Sequence, residues 1–275
     1  MRKALPRARS NVQSSRVYMT KEQEYLLAKV MDKIDECESK CVITSTAFLD
    51  MAERSEVDNA VKRSGAKYEF YGGFDEAERT VCVFLPYYAD DLKSFIFENP
   101  EENPLSAIRC KVPSGSPPLT HRDWLGSLMG LGLKRENVGD ISIYGNGADI
   151  VILKETEKFL LSEYKSVGRS KIDVCAIPIN EFLAPEQSFK EERGSVASLR
   201  LDNLISEAFS LSREKASEAI ESGIVFANGI QATKPDAKVK EGTKLVLRGK
   251  GKVVFASVCG ETRRGKISIL LKKYV

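Results

Sequence analysis

Two short helices that lead directly into a strand are predicted between Leu199 and Asn228, and this pattern constrains the fold more than any other in the chain. Apolar residues recur at positions 201, 204, 205 and 208, a helical spacing that lets the first helix bury one face. Ser212 stands where the second helix needs an N-cap, and Gly223 stands where it needs a left-handed C-terminal residue. The sequence therefore predicts two capped helices followed by a strand.

Basic residues at the starts of both helices are the best candidates for contacts with a nucleic acid. Arg213 and Lys215 lie beside the exposed N–H groups of the second helix, where charge and the helix dipole both attract phosphate. Arg200 and Arg213 each offer a planar fork that matches a phosphate, which lysine cannot do. An alternative for Arg200 is an ion pair within the module, with Asp202 or Glu207.

Further candidate contacts follow along the same module. Asn228 precedes a glycine, so it either contacts RNA or simply forms a turn. The other candidates are the cations Lys234, Arg248, Lys250, Lys252, Arg263 and Arg264. These side chains could broaden the electrostatic footprint for RNA, or they could be ordinary solvated surface residues.

The module resembles a known RNA-binding domain. The residues that carry the resemblance are Arg200-Leu201-Asp202, Ser212-Arg213, Gly223-x-Val225, Asn228-Gly229 and Val239-x-x-Gly242. They resemble the S-four-type (S4) domain, a compact αL module that is also attached to some tRNA synthetases and pseudouridine synthases. The resemblance implies that this part of the chain binds structured RNA.

Charge is distributed unevenly along the 275 residues, although the formal net charge is only +3. Residues 194–275 hold 15 lysines and arginines against 8 acidic residues, and residues 1–18 hold five basic and no acidic residues. The intervening residues 19–193 therefore carry a net charge of −9. An acidic body repels nucleic acid, so the basic C-terminal module is the expected docking face, and the body could bind protein partners instead.

The chain is long enough for two or three domains, and breaker residues suggest their boundaries. An α+β protein is predicted, with an N-terminal α/β region, a ferredoxin-like middle domain and the C-terminal S4-type domain. The predicted parts are a disordered basic leader at 1–18, the N-terminal α/β domain at 19–103, the ferredoxin-like domain at 104–183, a linker at 184–194 and the RNA-binding domain at 195–275. The leader could be a transit peptide or the product of an upstream start codon chosen in error.

The middle domain is predicted from the order of its elements. Strand and helix patterns alternate as βαββαβ between residues 105 and 177, which is the split βαβ or ferredoxin-like plan. Gly145-Asn146-Gly147 suits a tight hairpin between the second and third strands. Many RNA-recognition modules share this plan, but Tyr144 is the one ring on that pair of strands. Base stacking on this sheet is therefore not expected.

Composition excludes several classes of protein. The sequence has no run of 18 or more apolar residues, so no membrane-spanning helix is expected. The six cysteines lie at no framework spacing and are interpreted as reduced thiols of a cytoplasmic protein. Cys37 and Cys41 lie four apart but have no second ligand pair, so no metal and no cofactor are predicted.

Motifs outside the S4-type module extend the resemblance along the chain. They are Gly72-Gly73-Phe74-Asp75-Glu76-Ala77-Glu78-Arg79, Pro86-Tyr87-Tyr88, the stretch from Leu119 to Gly132, Arg135-Glu136-x-x-Gly139-Asp140-Ile141, Arg248-Gly249-x-Gly251-Lys252 and Thr262-Arg263-Arg264-Gly265-Lys266. Together they resemble the YlmH family of bacterial S4-domain proteins, which also has plastid relatives. The resemblance implies binding to ribosomal RNA of the large subunit and to tRNA, a role in ribosome-associated quality control, and a link to cell division. The sequence departs from the family at Thr243 and at Asn228-Gly229-Ile230.

An enzymatic role is the competing interpretation, and it finds little support in the sequence. His121 is the one histidine, but Thr120 and Asp123 beside it form a capping-box pattern at a helix start. Arg200-Leu201-Asp202 resembles the catalytic motif of pseudouridine synthases, yet no domain of synthase size follows it. No catalytic residue is predicted, and the protein is expected not to be an enzyme. An RNA-modifying enzyme that uses the module for substrate delivery and a protein adaptor remain the alternatives.

Overall fold

The computed structural model describes residues 20–185 and 188–274, so the predicted leader at 1–18 lies outside the described residues. Helices and strands are mixed along the chain, which confirms the α+β class. The helices are α1 (Lys21–Lys40), α2 (Met51–Ser64), α3 (Leu92–Glu98), α4 (His121–Gly130), α5 (Glu157–Glu163), α6 (Leu201–Ala208) and α7 (Arg213–Glu221). The strands are β1 (Thr44–Ser45), β2 (Tyr68–Tyr71), β3 (Val81–Phe84), β4 (Leu105–Lys111), β5 (Val138–Tyr144), β6 (Gly147–Leu153), β7 (Ser166–Val167), β8 (Ser170–Lys171), β9 (Asp173–Ile177), β10 (Phe189–Val196), β11 (Val225–Ala227), β12 (Ile230–Gln231), β13 (Lys244–Leu247), β14 (Gly251–Glu261) and β15 (Ile267–Tyr274).

The N-terminal domain packs two capped helices on a small sheet. α1 begins after Thr20, whose hydroxyl and the side chain of Gln23 form a capping box. Asp50 caps α2 by accepting hydrogen bonds from the N–H groups of Ala52 and Glu53. Both helices bury one apolar face against the antiparallel sheet β1-β3-β2. The first turn of α2 faces the C-terminal domain, where Arg54 and Ser55 contact Gly229.

The middle domain has the strand order expected for the ferredoxin-like plan. Its sheet runs β5-β6-β4-β9 with every neighbouring pair antiparallel, and α4 and α5 contribute Trp124 and Leu160 to the core. The second helix of this domain, α5, ends at Glu163, and residues 166–171 form the short β7–β8 hairpin. Gly168 in that hairpin has a φ of 57°, which is unfavourable for continuing a helix and suits a turn.

A buried ion pair fixes the segment that leaves the middle domain. Asp149 is fully buried and accepts two hydrogen bonds from Arg109, at 2.9 and 2.7 Å, and one from the Tyr144 hydroxyl at 2.7 Å. It also accepts the backbone N–H of Leu183, while Arg109 donates to the carbonyl of Glu181. Each buried charge is therefore satisfied, and the chain after β9 is held against the sheet.

The C-terminal domain packs α6 and α7 against a six-stranded antiparallel sheet in the order β10-β15-β14-β13-β11-β12. The structure differs here from the predicted linker at 184–194, because β10 begins at Phe189 and pairs with β15 along its whole length. β10 is rich in charged residues and has no apolar alternation, which is why its sequence suggests a linker. Cross-strand ion pairs to Lys272 and Lys273 stabilise it at the sheet edge.

One loop of the N-terminal domain touches both other domains, and we call residues 72–79 the β2–β3 loop. Gly73 lies so close to the middle domain that an added Cβ would approach the Ile179 side chain to 3.0 Å. The carboxylate of Asp140 accepts the N–H of Glu78 at 2.6 Å and the N–H of Arg79 at 3.3 Å. The motifs that contain these residues therefore hold the N-terminal and middle domains together.

Candidate nucleic-acid interface

A buried carboxylate connects the two arginines that the sequence favours as phosphate ligands. Asp202, with 2% of its side chain exposed, accepts hydrogen bonds from Arg200 at 3.2 and 3.0 Å and from Arg213 at 3.1 Å. The ion pair weighed as an alternative for Arg200 is thus present in the structure. Arg213 joins the same carboxylate, a contact that the sequence analysis did not consider.

The clamp on Asp202 positions both guanidinium groups without using all of their donors. The Arg200 and Arg213 side chains remain 39% and 60% exposed, and each guanidinium has five N–H donors. Burial alone would raise the pKa of Asp202, but the hydrogen bonds from the two arginines outweigh it and hold the pKa below its usual value. The carboxylate therefore stays charged at neutral pH, and the two forks are fixed at the junction of α6 and α7.

Other exposed cations surround this junction. Lys215 lies in the first turn of α7, where its N–H donates to the capping hydroxyl of Ser212 and its ammonium is exposed. The carbonyl of Pro235 accepts the N–H of Asp202, which brings the exposed Lys234 beside α6. Lys238 bridges to Arg200 through the backbone. We call this set, Arg200, Arg213, Lys215, Lys234 and Lys238, the α6–α7 surface.

A second set of cations pairs with carboxylates of the acidic N-terminal domain, and Arg248 among them is still half exposed. Lys244 bonds Glu76 at 2.7 Å, Lys252 pairs with Glu78, and Arg248 lies 3.7 Å from Asp50. Arg248 and Lys252 are among the predicted RNA contacts, and the structure places both in this interface between domains. Lys244 was not predicted from the sequence. The one pattern that could have indicated it is the acidic run of the β2–β3 loop, whose carboxylates pair with cations of the C-terminal domain.

The remaining predicted contacts are Asn228, Lys250, Arg263 and Arg264, and Asn228 is bonded to the second set. Asn228 adopts a left-handed conformation with a φ of 51°, and its side chain accepts the N–H of Lys244 at 2.9 Å. It therefore serves the turn between β11 and β12, the alternative already considered. Lys250 lies exposed in the turn before β14, and Arg263 and Arg264 lie exposed at the tip of the β14–β15 hairpin.

The groups considered for catalysis and for base stacking form neither kind of site in the described residues. Thr120 and Asp123 form the capping box of α4, and His121 is an exposed first residue of that helix. Tyr144 donates its hydroxyl to Asp149, so its polar end is engaged within the middle domain. In residues 20–185 and 188–274 no three histidine, cysteine, aspartate or glutamate side chains are grouped to hold a metal ion. Within the same residues no helix is both long and apolar enough to cross a membrane.

Family comparisons match the two domains described above. Residues 100–181 match the model described as "Putative RNA-binding domain in YlmH", and residues 199–245 match the S4 domain. These matches show that the C-terminal part of the chain contains an S4 domain, which is a class of RNA-binding module. More specifically, the chain combines an S4 domain with the RNA-binding domain of YlmH, which confirms the family resemblance drawn from its motifs.

Two individual proteins resemble the chain. It is 26% identical over 230 residues to "Ribosome-associated protein quality control protein P2" of Bacillus subtilis (strain 168), a match that covers 83% of this chain and 86% of the relative. A solved structure, "Cell division protein ylmH from Streptococcus pneumoniae", aligns with a TM-score of 0.48 at 21% identity. That alignment covers 62% of this chain and 98% of the other.

Proposed function

We propose that the protein binds structured ribosomal RNA of the large subunit, together with tRNA, through the α6–α7 surface. The observation that carries the proposal is the pair of guanidinium groups that Asp202 fixes side by side with free donors. Phosphates of a folded RNA lie at set positions, so fixed forks lose less entropy on binding than mobile side chains do. Lys215, Lys234 and Lys238 extend the same surface and add electrostatic attraction.

The proposed cellular role is ribosome-associated quality control in the cytoplasm. It is supported by the name of the Bacillus relative, whose alignment with this protein covers most of both chains. A link to cell division is supported only by the name of the Streptococcus protein. The proposed role is non-catalytic, because Asp202 is engaged in an ion-pair clamp and His121 is an exposed helix residue without a nucleophile or carboxylate bonded to it in the described parts of the chain. Mass spectrometry of ribosomal RNA and tRNA after incubation with the protein tests this point, and a reproducible new modified nucleoside would contradict it.

The decisive experiment removes two exposed cations from the proposed surface and two from the acidic body. Arg213→Ala/Lys215→Ala should abolish most co-sedimentation with large ribosomal subunits and lower the salt slope of RNA binding by about 2, since two phosphate contacts are lost. Lys29→Ala/Arg63→Ala is the matched control, because both residues are exposed on the N-terminal domain. Equal co-sedimentation by the two folded variants would refute the proposed surface.

A further inference from the structure

A cleft of about 1520 Å³ lies where the three domains meet. Its lining includes residues of the N-terminal domain and of both segments that match RNA-binding models, residues 100–181 and 199–245. The α6–α7 surface does not line this cleft, so the proposed phosphate contacts do not explain it. The cleft is open along one side, which would admit a chain rather than only a small molecule.

The two sides of the cleft present the same pair of groups, an aromatic ring and an ammonium. On one side, Lys93 and Phe97 lie one turn apart on α3, and the Phe97 ring is 85% exposed. On the other side, Phe189 and Tyr274 pack against each other with ring centroids 4.7 Å apart, and Lys272 lines the cleft beside them. Exposed rings from two domains that line one cleft form an apolar patch, and such a patch suggests contact with a ligand.

Polar side chains at the end of the N-terminal domain and in the middle domain also line the cleft. Asn103 donates to the hydroxyl of Tyr71 at 3.4 Å, and Asn180 is exposed on the short turn after β9. Amide groups carry both donors and acceptors, so they can bond the edge of an unpaired base. The cleft therefore combines faces for stacking with groups that can bond base edges.

Net charge does not drive a ligand into this cleft, because carboxylates and cations both line it. Glu76 bonds Lys244, and Glu157 bonds Lys154 at 2.9 Å. Glu69 accepts the N–H of Leu92. Such carboxylates are already engaged, so they leave the rings as the main source of affinity. The rings should accordingly supply the part of the binding energy that does not depend on salt, because stacking involves no phosphate contact.

The Tyr274 ring is covered by the ammonium groups of Lys244 and Lys252, at 5.1 and 5.8 Å from its centroid, so Phe189 is the exposed ring of the pair. We propose that the cleft binds an unpaired, single-stranded segment of RNA by stacking its bases on Phe97 and on Phe189. Duplex RNA does not fit this chemistry, because its bases are stacked on one another and their faces are closed. The proposal rests on the RNA-binding function proposed above and adds a second site with a different kind of contact. Structured RNA held at the α6–α7 surface would thus pass an unpaired segment into the cleft.

The test uses the full chain and the substitution Phe97→Ala, with Tyr87→Ala as its control. Both rings are almost fully exposed, at 85% and 87%, so neither substitution removes core packing, and Tyr87 does not line the cleft. The probe is a single-stranded oligonucleotide of about 12 nucleotides, compared with an RNA hairpin that lacks unpaired ends. We expect Phe97→Ala to weaken binding of the single strand roughly tenfold without changing its salt slope.

The two proposals fail in different ways. The proposed RNA binding in the cleft would be refuted if Phe97→Ala and Tyr87→Ala bound the single strand with equal affinity. It would also be refuted if the unaltered protein did not bind that strand. Loss of hairpin binding in Arg213→Ala/Lys215→Ala would still support the α6–α7 surface in that case. Photocrosslinking with 4-thiouridine gives a second measurement: crosslinks on α3 or β15 support the cleft, and crosslinks confined to α6 and α7 refute it.

Discussion

Lys244 of the C-terminal domain lies with its Nζ 2.7 Å from Oε2 of Glu76, a residue of the β2–β3 loop in the N-terminal domain. The ammonium is only 19% exposed, while the carboxylate is about half exposed. The hydrogen bond from Lys244 is the main reason why the pKa of Glu76 lies below its ordinary value. This contact and the neighbouring pair of Lys252 with Glu78 join the two domains.

Removing the charge of Glu76 should weaken the contact between these domains. We expect Glu76→Gln to lower the free energy of unfolding by about 1 kcal/mol, because a half-exposed pair is partly screened by water. Asp75→Asn is the control, since Asp75 is the exposed neighbour and forms no ion pair in the described parts of the chain. Urea denaturation at neutral pH measures both. A lowered pKa stabilises the fold above the ordinary value of the carboxyl, so the difference from Glu76→Gln should vanish as the pH falls through the lowered pKa.

Asp140 should make stability depend on pH in the opposite direction. Burial raises its pKa from the ordinary value of 3.8 to about 6, although Arg79 and Arg135 nearby favour the charged form. A raised pKa stabilises the fold at low pH, and this contribution is lost as the pH rises through about 6. Relative to Asp140→Asn, the unaltered protein should lose about 2 kcal/mol between pH 4 and pH 7. Parallel denaturation curves at every pH would contradict this assignment.

Gly139 should tolerate no side chain, because it lies against a buried ring. An added Cβ would come within 2.7 Å of the Phe48 ring. Gly139→Ala is expected to lower the free energy of unfolding by about 1–3 kcal/mol, the usual cost of overpacking. Gly126→Ala provides the matched comparison, since nothing lies within 4 Å of its added Cβ on α4. That substitution should raise stability by about 0.5–1 kcal/mol, and calorimetric melting would show the opposite signs.

The Asp202 clamp should be needed for both the fold and the proposed RNA contacts. Asp202→Asn leaves Arg200 and Arg213 without their shared carboxylate and should cost about 2 kcal/mol, the scale of hydrogen bonds to charged groups. Amide hydrogen exchange should speed up at the start of α6, where Asp202 also accepts the N–H of Asn203. Asp236→Asn is the control, because Asp236 is an exposed neighbour. Exchange rates that match between the two variants would contradict the clamp.

Local patterns explain why much of the fold was predictable. The caps at Thr20, Thr120 and Ser212 depend on residues three positions apart, so the sequence displays both partners together. The βαββαβ order follows from periodicity within each element, and its hairpin turn is short. These features are determined within a few residues, which is the range over which a single sequence is informative.

Contacts across the chain explain what could not be predicted. Lys252 and Arg248, which are predicted as RNA contacts, also form ion pairs with Glu78 and Asp50. These pairs could not be predicted, because a sequence does not state which acidic residue lies opposite a cation in space. β10 was predicted as a linker because its charged residues become strand-like only when β15 lies beside them. The cleft is likewise assembled from three domains, so none of its residues is distinguished by its neighbours in sequence.

The pairing of β10 with β15 has a consequence for how the protein is made. β10 enters the C-terminal sheet first, but its partner strand follows α6, α7 and four other strands along the chain. During synthesis the backbone of β10 therefore stays unpaired until β15 leaves the ribosome, while the N-terminal and middle domains can already fold. Until β15 emerges, Phe189 also lacks the ring of Tyr274, so one side of the cleft is completed only at the last step of folding.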